Sequence, residues 1–249
     1  LKLLAAGPWA SADFIARFRR EAQSAARMQH PNIVPIYEIG AHEELNFFSM
    51  MLVRGPTLGQ VLAEQGPFEP RAAAQMVRTI AEALDYAHRL GVLHLDLKPG
   101  NVLIDERGVP LVADFGLARR IDEALATDND EVSGTPSYMA PEQAQIKSHK
   151  LSPATDIYGI GAILYELLTG RPPFLAATPQ ETLKRVVTQE PARPRSLRRQ
   201  VSQDLEAVAL KCLAKDPKQR YASARALADD LGRYLDGRAV SVRPLNAAQ

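Results

Sequence analysis

The sequence predicts an α+β fold of two unequal lobes: a small lobe of strands with one helix, then a larger, mainly helical one. Three observations carry this expectation. Runs rich in β-branched and aromatic residues concentrate before residue 53. Beyond residue 54, apolar residues recur at helical spacing in several long segments. Between the first two of these segments lie two short apolar strands around a polar turn. At 249 residues the chain is long enough to bury a large core in either one body or two lobes.

Taken in order, Leu1–Leu4 reads as the end of a strand. Ser11 is placed to cap a helix running to about Gln29, with Phe14, Ile15, Phe18, Ala22 and Ala25 on one face. Ile33–Ile39 and Leu45–Leu52 read as strands joined by a polar turn, which closes the small lobe near Val53. Arg71–Leu90 carries Val77, Ile80, Ala81, Leu84 and Ala87 at helical spacing, with Gly91 as its stop. Two apolar runs around Asp105-Glu106-Arg107-Gly108 predict a hairpin, and a polar loop follows from Arg119 to Val132. Asp156 is expected to open a helix through Ile160, Leu164, Leu167 and Leu168, apolar enough all round to be buried. Two more helices carry Leu205, Val208, Ala209, Cys212, Leu213 and then Leu227, Ala228, Leu231, Tyr234, Leu235. The expected boundaries are 1–53 for the small lobe, 54–236 for the large lobe and 237–249 for a patternless linker.

Composition narrows the function. A net charge of +1 offers no electrostatic case for binding nucleic acid or an anionic membrane. The densest basic cluster, Arg193, Arg195, Arg198 and Arg199, sits beside Pro191 and Pro194 and reads as a solvated loop. Cys212 is the single cysteine, so no disulfide can form within the chain, and its apolar stripe reads as core. There is no signal peptide and no apolar run of the ~18 residues that a membrane span needs. The expected setting is cytoplasmic. Because the chain begins with Leu1 rather than methionine, it is expected to be a piece of something longer, with the cytoplasmic part of a membrane-anchored protein as one alternative.

The chemistry concentrates in His94-Leu95-Asp96-Leu97-Lys98-Pro99-Gly100-Asn101, followed thirteen residues after Asn101 by Asp114-Phe115-Gly116. Phosphoryl transfer from a nucleoside triphosphate needs such a set: a carboxylate to orient the attacking hydroxyl, a cation to offset phosphoryl charge, and oxygen ligands for magnesium. Asp96 fits the first role and Lys98 the second, while Asn101 and Asp114 fit the third. The intervening hairpin would bring Asn101 and Asp114 together.

Further motifs follow in order: Gly134-Thr135-Pro136-Ser137-Tyr138-Met139-Ala140-Pro141-Glu142, then Asp156-Ile157-Tyr158-Gly159-Ile160-Gly161, then Asp216-Pro217-Lys218-Gln219-Arg220. With Phe18-Arg19-Arg20-Glu21-Ala22 and His30-Pro31-Asn32-Ile33-Val34, they resemble the eukaryotic-like protein serine/threonine kinase family in its bacterial form. The resemblance covers residues 2 to about 235 and implies the bilobal protein-kinase-like fold. It implies ATP as phosphoryl donor, Mg2+ or Mn2+ as metal, and proteins bearing serine or threonine as acceptors, the chain itself included through autophosphorylation. It also implies that Lys2 holds the α- and β-phosphates and Glu21 pairs with it. Met50 would lie behind the adenine, Met51 to Val53 would form the hinge facing the base, and Leu103 would pack beneath it. Thr135 would brace Asp96 and Lys98, Glu142 and Arg220 would form a buried ion pair, and Asp156 would steady the catalytic loop.

Two departures stand out. Leu95 occupies the place where regulated members carry an arginine that receives a loop phosphate. The glycine-rich loop should lie roughly 15–25 residues before Lys2, where only Leu1 precedes it; Gly159-Ile160-Gly161 is a packing feature of a helix instead. Two alternatives remain beside the kinase: a pseudokinase acting as a regulatory binding module, and a small-molecule phosphotransferase with a similar His-x-Asp-x-x-x-x-Asn loop.

Overall fold

The computed structural model describes residues 2–3, 26–42, 45–115, 136–145 and 151–242. Strands β1 (Lys2–Leu3), β2 (Ile36–His42) and β3 (Leu45–Met50) form an antiparallel sheet in the order β1-β3-β2. Phe48, on the central strand, stands opposite Lys2 on one side and Ile39 on the other. Strand alternation turns Phe48 into the core. The helix expected from Ser11 lies almost wholly outside the described residues.

The strand expected to begin at Ile33 is corrected. Pro35 has no N–H to give to a ladder, and the chain changes partners there. Before it, Ile33 bridges Val112, the Val34 N–H donates to Val112 O at 2.9 Å, and the Val112 N–H donates to Asn32 O at 2.8 Å. After it, β2 starts at Ile36. The end expected at Leu52 is corrected too: β3 stops at Met50, because the Met51 N–H turns to Pro35 O at 3.0 Å.

The larger lobe begins with α1 (Leu58–Gln65), α2 (Pro70–Arg89), β4 (Val102–Ile104) and β5 (Pro110–Val112). It continues with α3 (Pro141–Ala144), α4 (Pro153–Thr169), α5 (Pro179–Thr188), α6 (Pro194–Leu197), α7 (Gln203–Cys212) and α8 (Ala224–Leu235). Thr57 starts α1 reciprocally: its hydroxyl accepts the Gln60 N–H, and Gln60 Oε1 accepts the Thr57 N–H. Just before it, Gly55 crosses the β4–β5 hairpin, where a β-carbon would stand 1.9 Å from Ile104 O. Only glycine permits that crossing.

Helix α2 buries the stripe its periodicity predicts, packing along α8 and against α4. Helix α4 begins at Pro153, three residues before the expected start at Asp156, because proline suits the first helical position. From Thr155 to Tyr165 every residue of α4 is buried. Gly161 lets α7 come so near that a β-carbon would lie 2.3 Å from Cys212 Cβ, and Cys212 is core as expected.

Two surface readings change. Arg198 is not a solvated charge: its guanidinium donates to Phe68 O and, at 3.3 Å, to Glu69 Oε1, tying the start of α2 to the loop after α6. Residues 237–242, read as the start of a linker, fold back onto the lobe. There the Ser241 N–H and hydroxyl each donate to the Asp230 carboxylate at 2.7 Å, while Val240 and Val242 pack against the core. No helix among the described residues is long and apolar enough to cross a membrane.

Candidate active site

Residues 94–101 have little regular structure of their own, so side chains from elsewhere fix their path. The principal anchor is Asp156, on the first turn of α4 and 2% exposed. Its Oδ2 accepts the His94 N–H at 2.8 Å and meets His88 Nε2 at 2.7 Å, while its Oδ1 accepts the Leu95 N–H at 2.8 Å. From the other side Gln143 Nε2 donates to Leu95 O at 2.7 Å. These bonds hold Leu95 at φ 61°, a left-handed conformation that a leucine adopts at a cost of about 1–3 kcal/mol.

His94 is fully enclosed. Its Nδ1 accepts the Asp96 N–H at 3.3 Å, which assigns the proton to Nε2, 2.9 Å from Ala113 O. Burial keeps the imidazole below its ordinary pKa, with nearby Asp156 opposing only in part. A neutral ring therefore links the 94–101 loop to the end of β5, and Phe115 packs against it at 4.8 Å between centroids.

The turn that follows brings three of the expected residues together. Lys98 Nζ lies 3.0 Å from Asp96 Oδ2. Asn101 Nδ2 donates to Asp96 O at 2.7 Å and to Asp96 Oδ2 at 3.1 Å. Asp96 and Lys98 are each about a quarter exposed, enough for a substrate group to reach them. Asn101 spends its amide N–H groups on Asp96, which turns its amide oxygen to the role of acceptor.

The hairpin completes the arrangement. Val102 pairs with Val112, and the Ala113 N–H donates to Asn101 O at 2.9 Å, so Asp114 emerges beside Asn101. Asp114 also has a left-handed backbone, φ 63°, which among the described non-glycine residues only Leu95 shares. An amide oxygen and a carboxylate side by side form a hard oxygen donor set that fits Mg2+ or Mn2+ and suits neither soft metals nor a thiolate-type centre.

Beyond the hairpin, Val34, Leu111 and Ala113 form a small apolar cluster, with Met50, Met51, Val53 and Leu103 packed against it. The structure thus gathers the residues expected around a base into one apolar wall. The donor side of the Met51 peptide is already taken by Pro35 O. Lys2 is placed by backbone alone, on β1. Glu21 and Thr135 lie outside the described residues, as does the polar loop between residues 119 and 132.

The structural partners are also located. Arg220 meets Glu142 through two bonds of 2.8 Å, with both side chains almost fully buried. Arg220 further donates to Ala154 O at 2.7 Å and Ala214 O at 2.8 Å. Burial would raise the Glu142 pKa, but the paired guanidinium outweighs it and holds the carboxylate below its ordinary range. At Gly159 a β-carbon would press within 3.1 Å of Leu97 Cβ, so the small residue keeps room under the 94–101 loop.

Sequence reasoning missed Gln143, His88 and the tautomer of His94. Gln143 was hidden beside the more conspicuous Glu142, and only its reach to Leu95 reveals it. His88 had one available signal, its place on the last buried turn of α2.

Comparison with known proteins follows the same outline. The family model described as the protein kinase domain matches residues 8–231. Serine/threonine-protein kinase PknB of Mycobacterium leprae is 38% identical over 242 residues, covering 95% of this chain and 39% of that protein. PknB of Mycolicibacterium smegmatis is 37% identical over 245 residues, with 96% and 39% covered. A probable serine/threonine-protein kinase of Streptomyces coelicolor is 39% identical over 233 residues, with 91% and 34% covered. The chain therefore spans well under half the length of these relatives.

Proposed function

Because this chain belongs to the protein kinase domain family, we propose that it transfers the γ-phosphoryl group of ATP to serine and threonine hydroxyls of proteins. The observation that carries the reading is the single carboxylate oxygen of Asp96 that meets both Lys98, at 3.0 Å, and Asn101, at 3.1 Å, with Asp114 one hairpin rung away.

In this reading Asp96 orients the acceptor hydroxyl toward the γ-phosphorus and receives its proton as the new bond forms. Lys98, already beside Asp96, offsets the charge on the equatorial phosphoryl oxygens. Asn101 and Asp114 are the residues that would hold Mg2+ or Mn2+, which when bound neutralises phosphate charge and fixes the donor in line. Met51, Val53 and Leu103 offer the adenine an apolar seat, and Lys2, paired with Glu21, would reach the α- and β-phosphates. Thr135 would brace the Asp96–Lys98 pair. Asp156, Gln143 and His94 touch no substrate; they position the loop.

The need for ATP points to a cytoplasmic setting, whether the chain acts alone or as the cytoplasmic part of a longer, membrane-anchored protein. Acceptors are proteins, the chain itself among them. A purely regulatory pseudokinase reading gains no support from a site in which Asp96, Lys98, Asn101 and Asp114 are all present. The test is Asp96→Asn. Phosphate transfer to a serine-containing protein should fall by about 10²–10⁴ while the thermal midpoint stays put, since positioned bases are worth that much. Transfer by the variant at the wild-type rate would overturn the assignment.

A further inference from the structure

The folded-back strap at residues 237–242 hangs on one acidic residue. Asp230, on α8, is 2% exposed, and its two carboxylate oxygens receive three donors. Oδ1 accepts the Ser241 N–H at 2.7 Å; Oδ2 accepts the Ser241 hydroxyl at 2.7 Å and the Tyr221 hydroxyl at 2.9 Å. The nearest cation among the described residues, Arg233 Nε, is 4.0 Å from Oδ1. The strap leaves α8 through Gly237, whose φ of 70° makes the reversal, and residues 236–239 are exposed. Its start is also held by the Arg238 N–H, which donates to Arg233 O at 2.8 Å, and beyond Arg238 the hold of Ser241 is helped by the packing of Val240 and Val242, both only partly buried. Ser241 itself is exposed, though its hydroxyl donates to a buried carboxylate.

We propose that Ser241 is a phosphorylation site, and that phosphate there unlatches the strap from the helical lobe. The self-catalysed origin of that phosphate rests on the kinase reading above. In the reaction Ser241 Oγ bonds to the γ-phosphorus of ATP as the bond from that phosphorus to the β,γ-bridging oxygen breaks. ADP leaves with the electron pair, and the hydroxyl proton passes to a base and then to solvent. The product has lost the O–H that Asp230 accepts. In its place stands a group of about −1.5 to −2 charge against a buried carboxylate, so the strongest tie of the strap becomes its strongest repulsion. Strap ends with few buried contacts open locally without unfolding the rest. Once out, phosphoserine finds Arg238, three residues before it, as a charge-assisted partner. Val242 also forms part of the wall of a groove of about 620 Å³ with Leu210, Lys211 and Ala214, so release reshapes that surface.

The test uses the full 249-residue chain. After incubation with Mg2+ and ATP, peptide mass mapping should find phosphate on Ser241, and Ser241→Ala should lose that phosphopeptide alone. The same chain carrying phosphoserine at 241 by C-terminal semisynthesis should exchange its Ser241 and Val242 amides about a hundredfold faster and be cut sooner by trypsin after Arg238. In an Asp230→Asn background the added phosphate should change exchange much less, since the repelling charge is gone. Phosphate on a generic protein substrate but never on Ser241 would overturn the self-modification and leave the kinase reading standing. No transfer to any protein would overturn that reading and the self-catalysed origin together. Unchanged exchange in the semisynthetic phosphoprotein would overturn the latch whatever the source of phosphate.

Discussion

Asp156→Asn is the sharpest test of how the catalytic loop is held. The replacement is isosteric but exchanges one acceptor oxygen for an NH2 group. Three donors face the carboxylate: the N–H groups of His94 and Leu95 and the ring of His88, at 2.7–2.8 Å. The best orientation of the amide keeps its oxygen toward His94 and His88 and opposes its NH2 to the Leu95 N–H. One charge-assisted bond worth about 1.5–3 kcal/mol is lost, and a buried N–H is left unsatisfied. The two surviving bonds lose their ionic half, roughly 1 kcal/mol each. With partial overlap between these terms the expected loss is about 3–5 kcal/mol, a midpoint lower by roughly 6–20 °C for a chain of this size. Leu95 then relaxes from its left-handed conformation, and Asp96, the next residue, moves with it. A displacement of that order costs about 10²-fold in rate. Calorimetry gives the first number, and phosphate transfer measured well below the lowered midpoint gives the second, expected in kcat with little change in KM for ATP. A variant that melts early but keeps its wild-type kcat would refute the positioning role. A variant with an unchanged midpoint would refute the hydrogen-bond accounting.

Other outcomes follow from the same geometry. Arg220→Met should cost about 3–5 kcal/mol by leaving Glu142 buried without its cation, and a double variant with Glu142→Gln should recover part of it; denaturant titration of the four proteins checks both. Burial holds His94 below its ordinary 6.5, so the unfolded chain binds more protons just below that pH. Stability is then full above pH 6.5 and lost as pH falls toward the folded value, and His94→Asn should flatten that slope in melts from pH 7.5 to 5.5 (about 2 pH units spanning the transition). Asp114→Ala should abolish the dependence of ATP affinity on Mg2+ or Mn2+; an unchanged metal dependence in calorimetric titration would reject the ligand assignment.

What could be read in the sequence was local chemistry. Asp96, Lys98 and Asn101 fall within six positions, and the Asp105–Gly108 turn announces the hairpin that brings Asp114 back. The buried stripes of α2 and α4 were legible because helical periodicity repeats over many residues. Interactions between distant segments were less so. The family resemblance pointed to Asp156 as a brace, but no residue spacing says that a carboxylate on α4 grips two N–H groups some sixty positions earlier. Leucine is a poor candidate for left-handed backbone, so nothing marked Leu95 as the gripped residue. Pro35 was visible, yet its effect, handing Ile33 and Val34 to β5, depended on a strand far along the chain. The docking of Ser241 likewise needs Asp230 in place before it means anything. Glu21 and Thr135 fall outside the described residues.

The exchange of partners at Pro35 has a mechanical consequence. The small lobe and the segment that leaves it are riveted to the same short hairpin at two places: residues 32–34 along β5, and residues 55–57 across β4, where the Ile104 N–H donates to Pro56 O at 2.9 Å. The Met51-to-Pro35 bond then ties the first of these segments to the start of the second. Two rivets on one plate make a door hinge. The sheet can swing about the line joining them, but it cannot slide along the helical lobe without tearing backbone bonds on both sides. Such a joint lets the cleft change its width while the apolar wall at Leu103 and the carboxylate at Asp114, both mounted on the plate itself, keep their spacing throughout the swing.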